Sequence, residues 1–167
     1  MTRTIALLSL LSLAAVAETV EIRSAADWDS FATRVNNGEA MLNAVLMRDV
    51  TLTGNSPRCG FSETRRFRGE FDGNGKTLTV SIKVSNAGTT NPAAPFAYVS
   101  DGCSIHDLHT AGTIETDGKF AAGFIGVADQ LDNGLVMLER CRSSVAIACT
   151  VDGDATSGGL LGCSRSN

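Results

Sequence analysis

The sequence predicts an all-β protein of the solenoid type, in which short strands stack as repeats, with one α-helix near the N-terminus. Three observations predict this fold. Apolar and polar residues alternate strictly over residues 77–84, which is typical of a strand with one buried face. Apolar segments and glycine turns recur about 33 residues apart in the second half of the chain. The 17 glycines and few aromatic residues favour turn-rich β structure over a helical bundle.

The first residues have the features of a secretory signal peptide. Arg3 gives a positive start, residues 5–16 form an apolar run, and Ala15-Val16-Ala17 matches a small-residue cleavage signal. The run is shorter than the roughly 20 apolar residues that span a bilayer. Residues 1–17 are therefore predicted to be removed, no membrane span is expected, and the mature protein is expected to be secreted or displayed at the cell surface.

The next segment predicts a strand followed by a helix. A short strand is expected around Ile22. Ser24 and Asp27 have the spacing of a capping box, and apolar residues at helical spacing from Trp28 predict a helix over residues 25–37. This helix is expected to cap one end of the stacked strands, where strand edges would otherwise be unpaired. Trp28 is predicted to anchor the core, with a sugar-stacking platform as the alternative.

Strands and loops alternate through the middle of the chain. Residues 41–52 are predicted to form a strand that bends at Arg48. Residues 53–66 and 85–95 are polar and contain glycine and proline, so both segments are predicted loops. The first of these loops is long enough to carry a functional role.

Residues 67–84 predict two short strands that meet at one turn. Phe67 and Phe71 lie on one face, because successive side chains of a strand alternate. The turn has the sequence Asp72-Gly73-Asn74-Gly75, in which Asp and Asn bond to their own backbone and glycine accepts positive φ. The residues assigned a structural role in this segment are Phe67, Gly69, Phe71, Asp72, Gly73 and Gly75.

Three landmarks recur at nearly one period later in the chain. They are Ile105 and Leu138, 33 residues apart, Ile114 and Ile147, also 33 apart, and Gly123 and Gly159, 36 apart. Such repetition predicts units that cannot bury their apolar faces alone and gain stability by stacking.

The glycines of these units also carry a family resemblance. Gly159-Leu160-Leu161-Gly162 matches the Gly-Leu-hydrophobic-Gly (GLUG) motif, Gly123-Phe124-Ile125-Gly126 matches it with Phe in second place, and Pro95-Phe96-Ala97-Tyr98 is a degraded earlier copy. Together with residues 67–78, these segments resemble secreted bacterial repeat proteins, and the resemblance covers residues 24–163. It implies a right-handed parallel β-helix of adhesin-like type and says little about activity.

The basic residues are few, and the net charge is −4. A mildly acidic chain without basic clusters is a poor candidate for binding nucleic acid or an anionic membrane. Arginines occur close together only at Arg58, Arg65, Arg66 and Arg68, in and beside the first loop. A solvated loop is the first interpretation of this group, and contact with an acidic glycan is the alternative. Arg58, Arg65, Arg66 and Tyr98 are the candidate binding residues.

The acidic residues give two alternatives to a role in turns. Either they provide a carboxylate pair for a polysaccharide lyase or hydrolase, or the turns at Asp72 and Asp152 bind calcium. The candidate carboxylates for such an enzyme are Asp107, Glu115, Asp117, Asp129, Asp132, Asp152 and Asp154. His106 and His109 are expected to face opposite sides of a strand, so they are not expected to share a metal ion. No residue is assigned a catalytic or metal-binding role.

Five cysteines lie in the predicted mature part, at positions 59, 103, 141, 149 and 163. Export permits disulfides, but five cysteines cannot all pair within one chain, and the sequence leaves the pairing open. Cys141 is predicted to be a core thiol.

The sequence predicts three parts: the signal peptide (1–17), a strand with the capping helix (18–40), and a repeat domain (41–167) that is incomplete at its C-terminus. Continuation in a longer chain, end-to-end self-association or a covering partner would each complete it. The predicted function is non-catalytic adhesion to a glycan or an extracellular protein. A carbohydrate-active enzyme or its fragment is the first alternative, and a structural spacer is the second.

Overall fold

The computed structural model describes residues 18–85, 91–131, 134–153 and 155–166. The predicted signal peptide and the candidate carboxylates Asp132 and Asp154 lie outside these residues. Among the described residues, no helix has the length and hydropathy needed to cross a membrane.

The fold is mostly β with one short helix, as predicted. Its elements, in chain order, are β1 (Thr19–Ile22), α1 (Ala25–Asn36), β2 (Asn43–Leu46), β3 (Val50–Thr51), β4 (Glu70–Asp72), β5 (Thr77–Val84), β6 (Phe96–Ser100), β7 (Ser104–His106), β8 (His109–Thr116), β9 (Phe120–Ala122), β10 (Ile125–Gln130), β11 (Met137–Glu139), β12 (Arg142–Cys149), β13 (Thr156–Gly158) and β14 (Leu161–Ser166). The bend predicted at Arg48 separates β2 from β3.

The strands pair in parallel throughout the described part of the chain. They form four sheets, with the orders β1-β2-β4-β7-β11, β3-β5-β8-β12, β6-β10-β14 and β9-β13. Apart from β1 and β2, which are separated by α1, strands that are neighbours in a sheet are separated in the sequence by strands of the other sheets. The pairs in the second half of the chain therefore bring together residues that lie about one predicted repeat apart, for example 32 residues for β5 with β8 and 33 for β8 with β12.

The register confirms the period read from the sequence. Ile105 lies opposite Leu138, and Ile114 lies opposite Ile147, so residues 33 apart are direct partners. Ile125 pairs with Leu161, which places the two full Gly-x-x-Gly segments side by side.

The earlier copy of the motif lies one residue before its predicted position. Phe96, not Ala97, pairs with Ile125. The segment that matches Gly123-Phe124-Ile125-Gly126 is therefore Ala94-Pro95-Phe96-Ala97. Neither end of this copy is a glycine, which is why the motif alone gives the wrong alignment.

Helix α1 begins at the predicted cap and ends one residue earlier than predicted. The backbone N–H of Asp27 donates to Ser24 Oγ at 3.2 Å, while the Asp27 carboxylate accepts from the Arg23 backbone N–H at 3.0 Å. The reciprocal bond thus goes to the residue before the cap rather than to the cap itself. Gly38, with φ +118°, then takes the left-handed conformation that ends the helix.

The helix packs on a cluster of aromatic side chains in the core. Trp28, Phe31, Phe67, Phe71 and Phe96 are all fully buried. The Trp28 ring lies 5.5 Å from Phe96 and 5.9 Å from both Phe31 and Phe71, measured between centroids. Trp28 is therefore the predicted core anchor, and the sugar-stacking alternative is wrong because the ring has no exposed face.

The turn between β4 and β5 has the predicted chemistry. The backbone N–H of Asn74 donates to Asp72 Oδ1 at 2.6 Å, and Asn74 and Gly75 both have positive φ. Among the motif glycines, Gly69 and Gly162 instead allow close approach between neighbouring segments. A Cβ on Gly69 would lie 2.4 Å from Leu42 O, and one on Gly162 would lie 2.6 Å from Gly126 O.

The C-terminal strands and the turn before β14 expose apolar side chains. Met137 is 45 % exposed, Leu160 is 42 % exposed and Leu161 is 37 % exposed. In β12 no residue is fully buried, whereas β6 is buried over its whole length. The side chains of the last strand of each sheet are thus less buried than those of the strand that it pairs with.

Candidate functional site

The structure does not bring the four candidate binding residues together as one exposed site. The Arg58 guanidinium is partly buried and donates to Pro92 O. Arg66 Nε donates to Asp129 Oδ2 at 2.7 Å. Arg65 is exposed. Tyr98 is only 3 % exposed, so its predicted role as an accessible binding residue is wrong. Tyr98 lies in β6, which has a bonded neighbour at both edges. At one edge Tyr98 N donates to Gly60 O, and at the other β6 pairs with β10.

A groove of about 370 Å³ lies between the first loop and the second half of β5. Ile82 and Val84 are part of its lining, and Phe61, 45 % exposed, contributes an accessible ring. Arg58 and Lys83 add two positive charges. We refer to this feature as the loop–β5 groove.

The lengths of two strands explain why the groove exists. β3 pairs with β5 only at Leu78 and Thr79, and Leu52 N donates the next bond to Thr79 O. β5 continues to Val84, while the chain after Leu52 turns away into the loop. The groove opens where β5 extends past its shorter neighbour.

The loop is fixed to the helix by side chains of α1. Trp28 Nε1 donates to Pro57 O at 2.9 Å. Asn36 Nδ2 donates to Arg58 O at 3.0 Å, and Asn36 Oδ1 accepts from the N–H groups of Gly60 and Phe61 at 2.9 and 3.1 Å. Because these bonds are formed within the protein, a ligand in the groove does not have to order the loop backbone.

The two cations of the groove have different surroundings. Burial lowers the pKa of Arg58, although the guanidinium stays charged at neutral pH because its ordinary pKa is so high. Lys83 is exposed, and its Nζ lies 3.0 Å from Glu115 Oε2. An exposed ion pair of this kind is weak, so Lys83 remains available to an anionic ligand.

Sequence reasoning missed Phe61, Lys83 and Asn36 as residues of the groove. Phe61 had a usable signal, since it is a single aromatic residue in a polar loop. Lys83 had none, because its place depends on β3 ending early. Asn36 is recognisable from the sequence only as part of the helix end, and its bonds to residues 22 to 25 positions away do not follow from local spacing.

The candidate carboxylates are spread over several parts of the surface. Glu115 pairs with Lys83, and Asp117 Oδ2 accepts from Ser85 Oγ at 2.9 Å. Asp152 is exposed in the turn before β13. Asp129 is buried, and its carboxylate lies between Arg66 and Arg165, with Arg165 Nε 2.6 Å from Oδ1. These two arginines tie the first loop and β14 to β10.

We expect Asp129→Asn to lower the free energy of unfolding by about 2–3 kcal/mol, because Arg66 would lose its anion and Arg165, which also pairs with Glu63, would lose one of its two anions. Glu115→Gln is the matched control, since it removes one charge from an exposed pair and should cost less than about 1 kcal/mol. Urea unfolding followed by circular dichroism measures both. Equal losses from the two substitutions would contradict the stabilising role assigned to Asp129.

The cysteines carry free thiols. Cys59 and Cys103 are buried, and burial raises the pKa of each thiol well above its ordinary value. Cys141 is half-buried and packs against the core, as expected for a core thiol, with Sγ 3.5 Å from Ile105 O. Thiols with raised pKa values are poor nucleophiles, so the buried pair contributes packing rather than reactivity.

Known proteins provide no further guidance to the site. No protein-family model matches this chain. The searches of curated proteins and of solved structures also find no match.

Proposed function

We propose that this protein is a secreted or surface-displayed binding module, wound as a right-handed parallel β-helix, whose loop–β5 groove binds an acidic glycan. The parallel pairing of strands one repeat apart supports the winding. The GLUG-type segments, which lie side by side in the sheet containing β10 and β14, support the same interpretation.

The observation that carries the binding role is the composition of the groove. Phe61 offers a ring on which a sugar could stack, and Lys83 and Arg58 offer positive charge to uronate carboxylates. Ser56 and Ser81 add hydroxyl groups at the same surface. The loop is held in place before any ligand arrives, which favours recognition by a rigid surface.

The same groove argues against glycan cleavage at this place. Glycoside hydrolysis needs two carboxyl groups on opposite sides of the bond that breaks. The described residues that line the groove include no Asp or Glu. A carbohydrate-active enzyme would therefore have to use another surface of the molecule.

Isothermal titration of the protein with polygalacturonate tests the proposal, with neutral dextran as the comparison ligand. We expect saturable heat with polygalacturonate only. We expect Lys83→Ala and Phe61→Ala each to weaken binding by about tenfold or more, as for central contacts of an interface. Lys76→Ala is the matched control, because it removes the same charge from the other end of β5 and should leave the affinity unchanged.

Two results would overturn the proposal. Heat that continues at a steady rate after mixing would indicate turnover and favour the enzyme. The absence of saturable heat with polygalacturonate would reject acidic-glycan binding.

A further inference from the structure

A second cluster of polar side chains lies at the corner that follows β4 and β7. These strands pair in parallel, with Asp72 directly opposite His106. Asp107 follows in the left-handed conformation, with φ +51°, and its backbone N–H donates to Glu139 O at 3.0 Å. The register of the sheet thus places two carboxylates from different repeats beside one imidazole.

Three possible metal ligands converge at this corner. His106 Nδ1 lies 2.9 Å from Asp107 Oδ2 and 3.6 Å from Asp72 Oδ1. One ligand atom from each of these three side chains lies within 4.8 Å of the other two. Such separations suit three ligands of a single small cation, with one nitrogen and two oxygen donors.

The other ring nitrogen of His106 has a separate partner. Nε2 lies 2.9 Å from Glu70 Oε1, and the imidazole is only 18 % exposed. A carboxylate beside one nitrogen fixes the ring orientation and, in the neutral ring, keeps the proton on that nitrogen. In that tautomer the lone pair of Nδ1 faces two carboxylate oxygens, 2.9 and 3.6 Å away, and a metal cation among the three atoms would stabilise the arrangement. Histidine ligands of zinc commonly have this second carboxylate partner.

We propose that Asp72 Oδ1, His106 Nδ1 and Asp107 Oδ2 bind a zinc ion, with Glu70 as the positioning residue for the imidazole. An imidazole with two carboxylates is a donor set that suits Zn²⁺. Calcium prefers six to eight oxygen ligands and is a poorer fit. Three protein ligands leave one tetrahedral position for water.

One neighbouring cation, the Arg140 guanidinium, opposes metal binding and provides a further test of the proposal. Arg140 Nε lies 2.6 Å from Asp107 Oδ1, and Arg140 Nη2 lies 2.7 Å from Asp107 Oδ2. The guanidinium therefore competes with zinc for the same carboxylate. Removing its charge should strengthen zinc binding, whereas removing a ligand should weaken it.

Titration calorimetry with zinc chloride at neutral pH tests the site in the whole protein. We expect one zinc ion per chain. We expect His106→Asn to weaken binding at least about 100-fold and Glu70→Gln to weaken it by about 10- to 100-fold. His109→Asn is the matched control: His109 contacts Thr77 and Ser144 instead, and its loss should leave the affinity unchanged.

Two further variants make the test specific. Asp72→Asn keeps an acceptor for the Asn74 N–H but removes a ligand charge, so it should weaken zinc binding even if His106→Asn folds poorly. Arg140→Gln should tighten binding by about tenfold, since it frees Asp107 from an ion pair. Circular dichroism checks that each variant is folded.

Cobalt substitution separates this site from the free thiols. A site of nitrogen and oxygen ligands gives no intense sulfur-to-cobalt charge-transfer band, whereas thiolate ligands do. The proposal is overturned if zinc does not bind saturably. It is also overturned if folded His106→Asn and Asp72→Asn bind zinc as tightly as the unmodified protein, or if the cobalt spectrum shows thiolate ligation.

Discussion

Trp28→Ala is expected to lower the free energy of unfolding by about 3–5 kcal/mol, as for other large aromatic residues removed from a core. The indole is fully buried against Phe31, Phe71 and Phe96. Its loss would leave a cavity between the helix and the sheets and would also leave Pro57 O without its donor. Urea unfolding monitored by far-ultraviolet circular dichroism measures the change.

Phe61→Ala is the control for this experiment. It also removes an aromatic ring, but that ring is 45 % exposed. Truncation there should change stability by less than about 1 kcal/mol. If both substitutions gave the same loss, the aromatic cluster would not be the main support of the helix.

Trp28→Ala should also affect the groove, because the helix holds the loop. Without the bond to Pro57, the loop that contains Phe61 gains freedom, and a ligand must then order it on binding. The stability of the core and the affinity of the groove are thus linked through one side chain.

Gly112→Ala is expected to lower the free energy of unfolding by about 3 kcal/mol or more, from positive-φ strain together with a steric collision. Gly112 lies within β8 at φ +106°. A Cβ there would lie 2.0 Å from Val80 O on β5. Neither strand can move without disturbing the ladder of eight residue pairs between β5 and β8. Urea unfolding again provides the measurement.

Two other glycines separate the sources of this effect. Gly75 has φ +69°, and no atom lies within 4 Å of the position that a Cβ would take, so Gly75→Ala reports the conformational cost alone. Gly159 has open space around it and no positive φ, so Gly159→Ala should be nearly neutral. If Gly112→Ala lowered the free energy of unfolding no more than Gly75→Ala does, the structure would have relieved the collision with Val80.

The sequence is sufficient to predict the strands that have one buried face and one solvent-exposed face. Thr77–Val84 alternates clearly, and residues Ile114 and Ile147, 33 positions apart, are direct partners in the sheet. Local patterns work here because a stacked strand repeats the environment of its neighbour. The helix is predictable for a similar reason, since Ser24 and Gly38 act on the backbone nearby.

The same reasoning fails where both faces of a strand are covered. In Phe96–Ser100 every residue is buried, so alternation carries no information, and the prediction that Tyr98 lies at the surface is wrong. Ring size and a polar hydroxyl suggest a binding residue, but packing against β10 and the first loop decides its place.

The two sites are hidden from the sequence for a different reason. The groove depends on the unequal lengths of β3 and β5, and the His106 cluster depends on Glu70 and Asp72, which lie more than 30 positions earlier. Sequence spacing cannot identify the neighbours of His106 across the sheet. Those neighbours follow only from the register.

Because the strands pair in parallel ladders, residues can be added between strands without changing the packing within them. The offset between paired residues is 32 for Ile82 and Ile114 but 36 for Ile125 and Leu161. The extra residues are taken up at the corners, and the ladders on either side stay aligned. Corners of this protein can therefore accept insertions that its strands cannot, since one residue added inside a strand would turn its buried face outward. New surface chemistry can be gained at the corners without redesign of the interior.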